Sequence, residues 1–127
     1  MLMGPLSSGA AVGSNGSATA HATYPIAHGF VEAIQVHYSV AAANCTVVVK
    51  TGGQNAPSVP LLTKATSKTD ATYYPRVQAC SPADGSAITG EYGEIPIEDT
   101  IDVAISGANA GDYVQVYIYL LRHLLEA

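Results

Sequence analysis

Ile95-Pro96-Ile97-Glu98-Asp99-Thr100-Ile101-Asp102-Val103-Ala104-Ile105, followed after a Gly- and Asn-containing turn by Tyr113-Val114-Gln115-Val116-Tyr117-Ile118-Tyr119-Leu120, decides how this chain folds. In the first run Ile95, Ile97, Ile101, Val103 and Ile105 share one parity, interrupted by Asp99. In the second run Val114, Val116, Ile118 and Leu120 take one parity, and Tyr113, Gln115, Tyr117 and Tyr119 take the other. Successive side chains of an extended strand point to opposite faces. Period-two alternation of β-branched and aromatic residues is therefore the signature of a strand. Between the two runs, Gly107-Ala108-Asn109-Ala110-Gly111-Asp112 reads as a hairpin loop.

The same pattern extends upstream. Phe30, Ile34, Val36 and Tyr38 fall on one face and Gln35, His37 and Ser39 on the other, with Glu32 spoiling the apolar face near its start. Cys45, Val47 and Val49 alternate with Thr46, Val48 and Lys50. Thr51-Gly52-Gly53, Ala56-Pro57, Ser81-Pro82 and Ala83-Asp84-Gly85 punctuate these runs as turns. Several short strands with little helix predict an all-β fold, an antiparallel β-sandwich or jelly-roll-like domain over residues 24–120, with an extended N-terminal arm. An all-β chain must manage its sheet edges. This chain has little charge for that job, so another subunit is expected to cover them.

Residues 1–23 form a separate compositional zone, mostly Gly, Ala, Ser and Thr without a charged residue. They read as an arm, either flexible or docked along a partner. Ala20-His21-Ala22 mimics a signal-peptidase site, but no Lys or Arg occurs before Lys50, so a secretory signal is not expected. Residues 121–127 form a short apolar tail. Leu121, Leu124 and Leu125 have helical spacing there, either to pack on their own domain or to contact a partner.

The chain has 127 residues, one domain's worth, with five Lys and Arg against ten Asp and Glu, a net charge of −5. A nucleic-acid binder needs a basic face to displace counterions, so nucleic acid is not an expected partner. No apolar run approaches the roughly 20 residues of a membrane helix, and a membrane partner is not expected either. Cys45, beside a Val run, reads as a buried small hydrophobe and Cys80 as part of a polar turn; both are expected as free thiols.

Catalytic chemistry needs a nucleophile or a poised acid/base pair. The histidines His21, His28, His37 and His123 form no metal-ligand spacing, and no nucleophile elbow or phosphate-binding Gly loop occurs. No enzyme activity, cofactor or metal is expected. Glu91, Glu94, Glu98, Asp99, Asp102 and Asp112 crowd one region with no basic residue among them. They read as a solvated acidic rim, as oxygen ligands in a spacing that is no EF-hand, or as an interface meeting Lys64, Lys68 or Arg76. Tyr113, Tyr117 and Tyr119 stripe one face of the last strand, a large contact area with polar tips.

Three passages in order resemble the small all-β capsid decoration (cement) proteins of tailed bacteriophages and related virion proteins. They are Gly29-Phe30-Val31-Glu32-Ala33-Ile34-Gln35-Val36-His37-Tyr38; Tyr73-Tyr74-Pro75-Arg76-Val77 with the Asp84-Gly85-Ser86-Ala87 turn; and Tyr92-Gly93-Glu94-Ile95-Pro96-Ile97-Glu98-Asp99-Thr100-Ile101 leading into Asp112-Tyr113-Val114-Gln115-Val116. The resemblance covers roughly residues 24–120; the Leu-rich tail is not part of it. It implies an accessory protein on the outer surface of the virion capsid. Its expected partners are the major capsid protein and further copies of itself, as a homotrimer. The residues expected to make these contacts are Tyr24, Tyr73, Tyr74, Arg76, Tyr117, Leu124 and Leu125. Arg76 is the only basic residue between Lys68 and Arg122 and is expected to pair with a carboxylate of the acidic cluster. The alternative is a carbohydrate-binding or tail-fibre module using the Tyr stripe.

Overall fold

The computed structural model describes residues 2–14, 16–39, 44–54 and 57–121. Their strands are β1 (Leu2–Ser7), β2 (Ala18–Tyr38), β3 (Cys45–Thr51), β4 (Pro60–Ser67), β5 (Ala71–Tyr73), β6 (Val77–Cys80), β7 (Ala87–Gly93), β8 (Ile95–Ala108) and β9 (Val114–Leu121). Every pairing is antiparallel. The main sheet runs β1-β9-β2-β8-β3-β4, with β5 also on β2, and β6 and β7 pair only with each other. The protein is all-β, as the alternation predicts.

One strand belongs to both layers. The first part of β2, Ala18–Val31, pairs with β8, and the last part, Phe30–Tyr38, pairs with β9. The layers β2-β8-β3-β4 and β1-β9-β2-β5 thus share β2. Their inner faces form one apolar cluster that includes Val31, Ile34, Val36, Val47, Val49, Ile101, Val103, Ile105, Val114, Val116 and Leu120. Burial in β8 follows parity: Ile95, Ile97, Asp99, Ile101, Val103 and Ile105 face inward, so Asp99 does sit in the apolar series and is itself buried. β3 and β9 alternate as the sequence predicts.

β2 itself does not keep one parity. Between Tyr24 and Ala27 it advances three residues against two on β8, and between Val31 and Ala33 two against one on β9. Each is a β-bulge, and each extra residue moves the buried set to the other parity. Ala18 and Tyr24 give way to Ala27 and Val31, then to Ile34 and Val36. The expected single face of Phe30, Ile34, Val36 and Tyr38 is therefore corrected. Val31 is fully buried, Phe30 and Glu32 take the opposite parity, and Glu32 spoils nothing.

Two further expectations change. The 107–112 connection is not a hairpin, because β2 lies between β8 and β9; it crosses from one layer to the other. It is anchored to the β1–β2 segment through Gly111 N–H to Ala11 O (2.9 Å) and Ala11 N–H to Asp112 O (2.7 Å). The main sheet's edges are also blunted by the chain itself. β1 has an extra residue at Gly4-Pro5, and proline offers no N–H. β4 starts at Pro60 and carries two register shifts, near Leu61 and near Thr66, the latter at φ +50°. Lys64 lies opposite the buried Val47, on the inner face of this edge strand. Prolines, bulges and an inward charge are the standard means of discouraging strand addition, so these edges do not call for a covering subunit.

Of the expected arm, Leu2–Ser7 pairs with β9, and Ala18–Thr23 is the beginning of β2. Leu124 and Leu125 of the expected tail lie outside the described residues.

Candidate docking site at the β6–β7 hairpin

The segment from Tyr73 to Gly93 leaves the main sheet. Tyr73 ends β5 and packs against the core, as does Tyr24 of β2. Tyr74 is 65% exposed. Pro75 interrupts the strand, and Arg76 follows. Arg76 Nη1 donates to the carbonyl oxygens of Pro75 (2.7 Å), Glu32 (3.0 Å) and Val31 (3.4 Å). The last two sit at the second bulge of β2, where the ladder is locally disrupted. The expected pairing of Arg76 with the acidic cluster is therefore corrected: the guanidinium clamps backbone carbonyls. Among the described residues no Lys or Arg forms an ion pair with a carboxylate.

Beyond Arg76 the chain makes a ribbon. Val77 pairs with Gly93, Gln78 with Tyr92 and Cys80 with Ala87, so β7 bows out over residues 88–91, with Gly90 at φ +83°. Gln78 Nε2 donates across the bow to Ile88 O (3.3 Å). The tip is tightly built. Ser81 N–H donates to Ser86 O (2.7 Å), and Gly85 N–H, at φ +76°, donates to Ser81 O (2.8 Å). Asp84 Oδ1 accepts from the backbone N–H of Ser86 (3.0 Å) and from its hydroxyl (2.7 Å). These bonds, the backbone one first, hold the Asp84 carboxyl below the usual carboxylate range.

Every residue of β7 is exposed, and Val77, Ile88 and Tyr92 stand 50%, 40% and 63% exposed. A two-stranded ribbon with apolar side chains in water is marginal alone and gains stability by covering them. At its base lies a cleft of 460 Å³ lined by Val59, Pro60, Arg76, Val77, Ile95 and Pro96. Val59 and Pro96 also line a second cleft of 360 Å³ with Thr51, Pro57, Ile97, Glu98 and Asp99. Asp99 Oδ1 accepts from Thr100 N–H (2.7 Å) and Gln54 N–H (3.0 Å), fixing the loop after β3 against this cleft. Just before Ile95, Glu94 Oε2 is buried without a donor among the described residues.

Elsewhere the titratable groups stay in pairs. His21 faces Asp102 (3.8 Å), His28 faces Glu98 (3.6 Å) and His37 Nδ1 lies 3.3 Å from Asp70, all three histidines on β2. Tyr38 N–H also donates to Asp70 Oδ1 (2.9 Å), and this bond, with His37, lowers the Asp70 carboxyl. Of His28, His37, Glu94 and Asp99, only Asp99 lines either cleft. The acidic residues do not converge: Glu91 is on the ribbon, Asp99 faces inward and Glu98 outward. Among the described residues no three of His, Cys, Asp and Glu gather as metal ligands. Cys45 is buried and Cys80 exposed, both as free thiols. Tyr117 and Tyr119 lie on the outer parity of β9 and Tyr113 just before it, with Tyr117 edge-on to His37, ring centroids 5.3 Å apart.

Sequence reasoning picked out Tyr74 and Arg76 but missed the cleft that Arg76 lines together with the start of β4. Val59 and Pro60 lie where a Pro-containing loop enters β4, and only the fold brings them to Ile95 and Pro96. The available signal was the density of turn residues from Pro75 to Gly93, which marks a segment with too little apolar periodicity to belong to the core. Comparisons of the chain with protein-family models, curated proteins and solved structures gave no match.

Proposed function

We propose that this chain is a structural virion protein, a decoration or cement protein that binds the outer surface of a phage head as a homotrimer and ties neighbouring capsomers together. The observation that carries this reading is the β6–β7 ribbon, an apolar docking element detached from the main sheet, with Tyr74, Val77, Ile88 and Tyr92 open to solvent. The passages that resemble decoration proteins include residues 73–77 at the base of this ribbon, the 84–87 turn at its tip, and residues 92–101, which lead from it into β8. Many copies, each with a modest contact, add up on a rigid lattice through multivalency. The contacts are mostly apolar, so attachment survives high salt.

The test is co-sedimentation with purified viral particles from the source of the protein, with the copy number measured against the major shell protein. Hundreds of copies at a fixed ratio, retained in about 1 M salt where surface charge is screened within about 3 Å, support the reading. Absence from the particles overturns it. The outward row Tyr113, Tyr117 and Tyr119 favours a second reading, a carbohydrate-binding or tail-fibre module. Saturable glycan binding that is lost in Tyr117→Ala would put that reading first.

A further inference from the structure

We propose that the tip of the β6–β7 ribbon, Pro82-Ala83-Asp84, seats in the cleft lined by Val59, Pro60, Arg76, Val77, Ile95 and Pro96 of a second copy of this chain. The inference rests on the reading above, that the protein assembles with itself, and names the surfaces that do so.

The occupant follows from reach and charge. A chain's own tip cannot enter its own cleft. Val77 lines the cleft and is also the first residue of β6, so the ribbon carries the tip away by about 13 Å over the four residues Val77–Cys80. A tip that fills the cleft therefore comes from another molecule. The cleft is apolar except for one cation, Arg76, whose Nη1 is fixed on backbone carbonyls. The tip matches it in both respects. Pro82 and Ala83 are small and apolar, and Asp84 is the only charged residue between Arg76 and Glu91. Asp84 is also held in place before any contact by Ser86, and the turn by Ser81, so little freedom remains to be lost on docking. Other sites of self-association are less suitable, because β1 and β4 are blunted against strand addition. Tip and cleft are different surfaces, so the contact is head-to-tail; the homotrimer of the proposed function requires that it close into a ring of three.

The experiment is analytical ultracentrifugation of the purified full chain, with no particles present. Wild type is compared with Asp84→Lys, whose site is an exposed turn that leaves the core untouched. Wild type is expected to sediment as a closed oligomer. Asp84→Lys is expected to weaken association by at least about tenfold, with unchanged circular dichroism and melting temperature. In a Cys80→Ser background, Ala83→Cys combined with Pro60→Cys is expected to give, on oxidation, a covalent ladder ending at the ring, whereas each cysteine alone gives nothing larger than a dimer. A wild-type monomer at high micromolar concentration, an oligomer indifferent to Asp84→Lys, or the absence of that ladder overturns the inference. Particle co-sedimentation of the same proteins keeps the two claims apart. A monomer that binds particles sinks the tip–cleft contact and the trimer but leaves the virion role standing, and a ring that ignores particles sinks only the virion reading.

Discussion

Replacing Arg76 by Met removes a clamp while keeping a side chain of similar reach. In the native protein Nη1 makes one short bond, to Pro75 O at 2.7 Å, one ordinary bond, to Glu32 O at 3.0 Å, and one long bond, to Val31 O at 3.4 Å. Hydrogen bonds to a charged group contribute roughly 1.5–3 kcal/mol each when buried, but Arg76 is an exposed residue and competes with water throughout. Only the bonds to Glu32 and Val31 join distant parts of the chain, so a net loss of about 1.5 kcal/mol is expected. For a domain of this size that is a fall in melting temperature of about 6 °C. Thermal and urea unfolding followed by circular dichroism read it directly, with the slope against urea unchanged. Arg76→Lys is expected to recover less than half, because one ammonium has no planar fork to span neighbouring carbonyls. A melting temperature within about 1 °C of wild type for Arg76→Met would show that the second bulge of β2 holds its shape without the clamp, and would refute the reasoning.

Other perturbations test separate parts of the fold. A Cβ on Gly52 would overlap Thr100 Oγ1, so Gly52→Ala is expected to cost about 1–3 kcal/mol, and the double change with Thr100→Ala to recover part of it, measured by urea unfolding; equal costs for single and double variants would count against the clash. Ile101 is fully buried at the centre of β8, and Ile101→Ala is expected to cost about 2–5 kcal/mol in the same assay, far more than a change on the ribbon such as Ile88→Ala. The Asp70 carboxyl is held below its usual range by Tyr38 N–H and by His37, so its contribution is complete above the unfolded carboxyl value of about 3.9 and is lost as pH falls through the lower folded value. The melting temperatures of wild type and Asp70→Asn should therefore differ at neutral pH and converge under acid conditions; a gap that persists there would refute the assignment.

Much of this architecture was open to sequence reasoning because burial is one-sided. β3, β8 and β9 alternate so strictly that the inner parity, including the anomalous Asp99, follows from residue type alone. β2 was legible only in pieces, because a bulge leaves no mark in composition while it reverses every position beyond it. The turn at 107–112 was misassigned for a different reason. Two adjacent strong strands suggest a hairpin, and only the long-range pairing of β2 with both shows that they belong to different layers. The role of Arg76 was illegible because its partners are main-chain oxygens, which every sequence possesses. The cleft was illegible because its walls come from three separated segments.

β9 lies between β1 and the second part of β2, so β1 has no partner, and that part of β2 has only the three-residue β5, until β9 exists. During translation the stretch that ends at Tyr38 must wait for some 83 further residues to be added before Leu121 completes its partner, roughly 4–17 s at ordinary elongation rates. Throughout that interval Ile34 and Val36, fully buried in the finished protein, lack their ladder partners Ile118 and Val116 on β9. A vectorially synthesised chain of this topology completes its second layer late. Its yield in a cell therefore depends on how well the nascent form is shielded as much as on the stability of the final product.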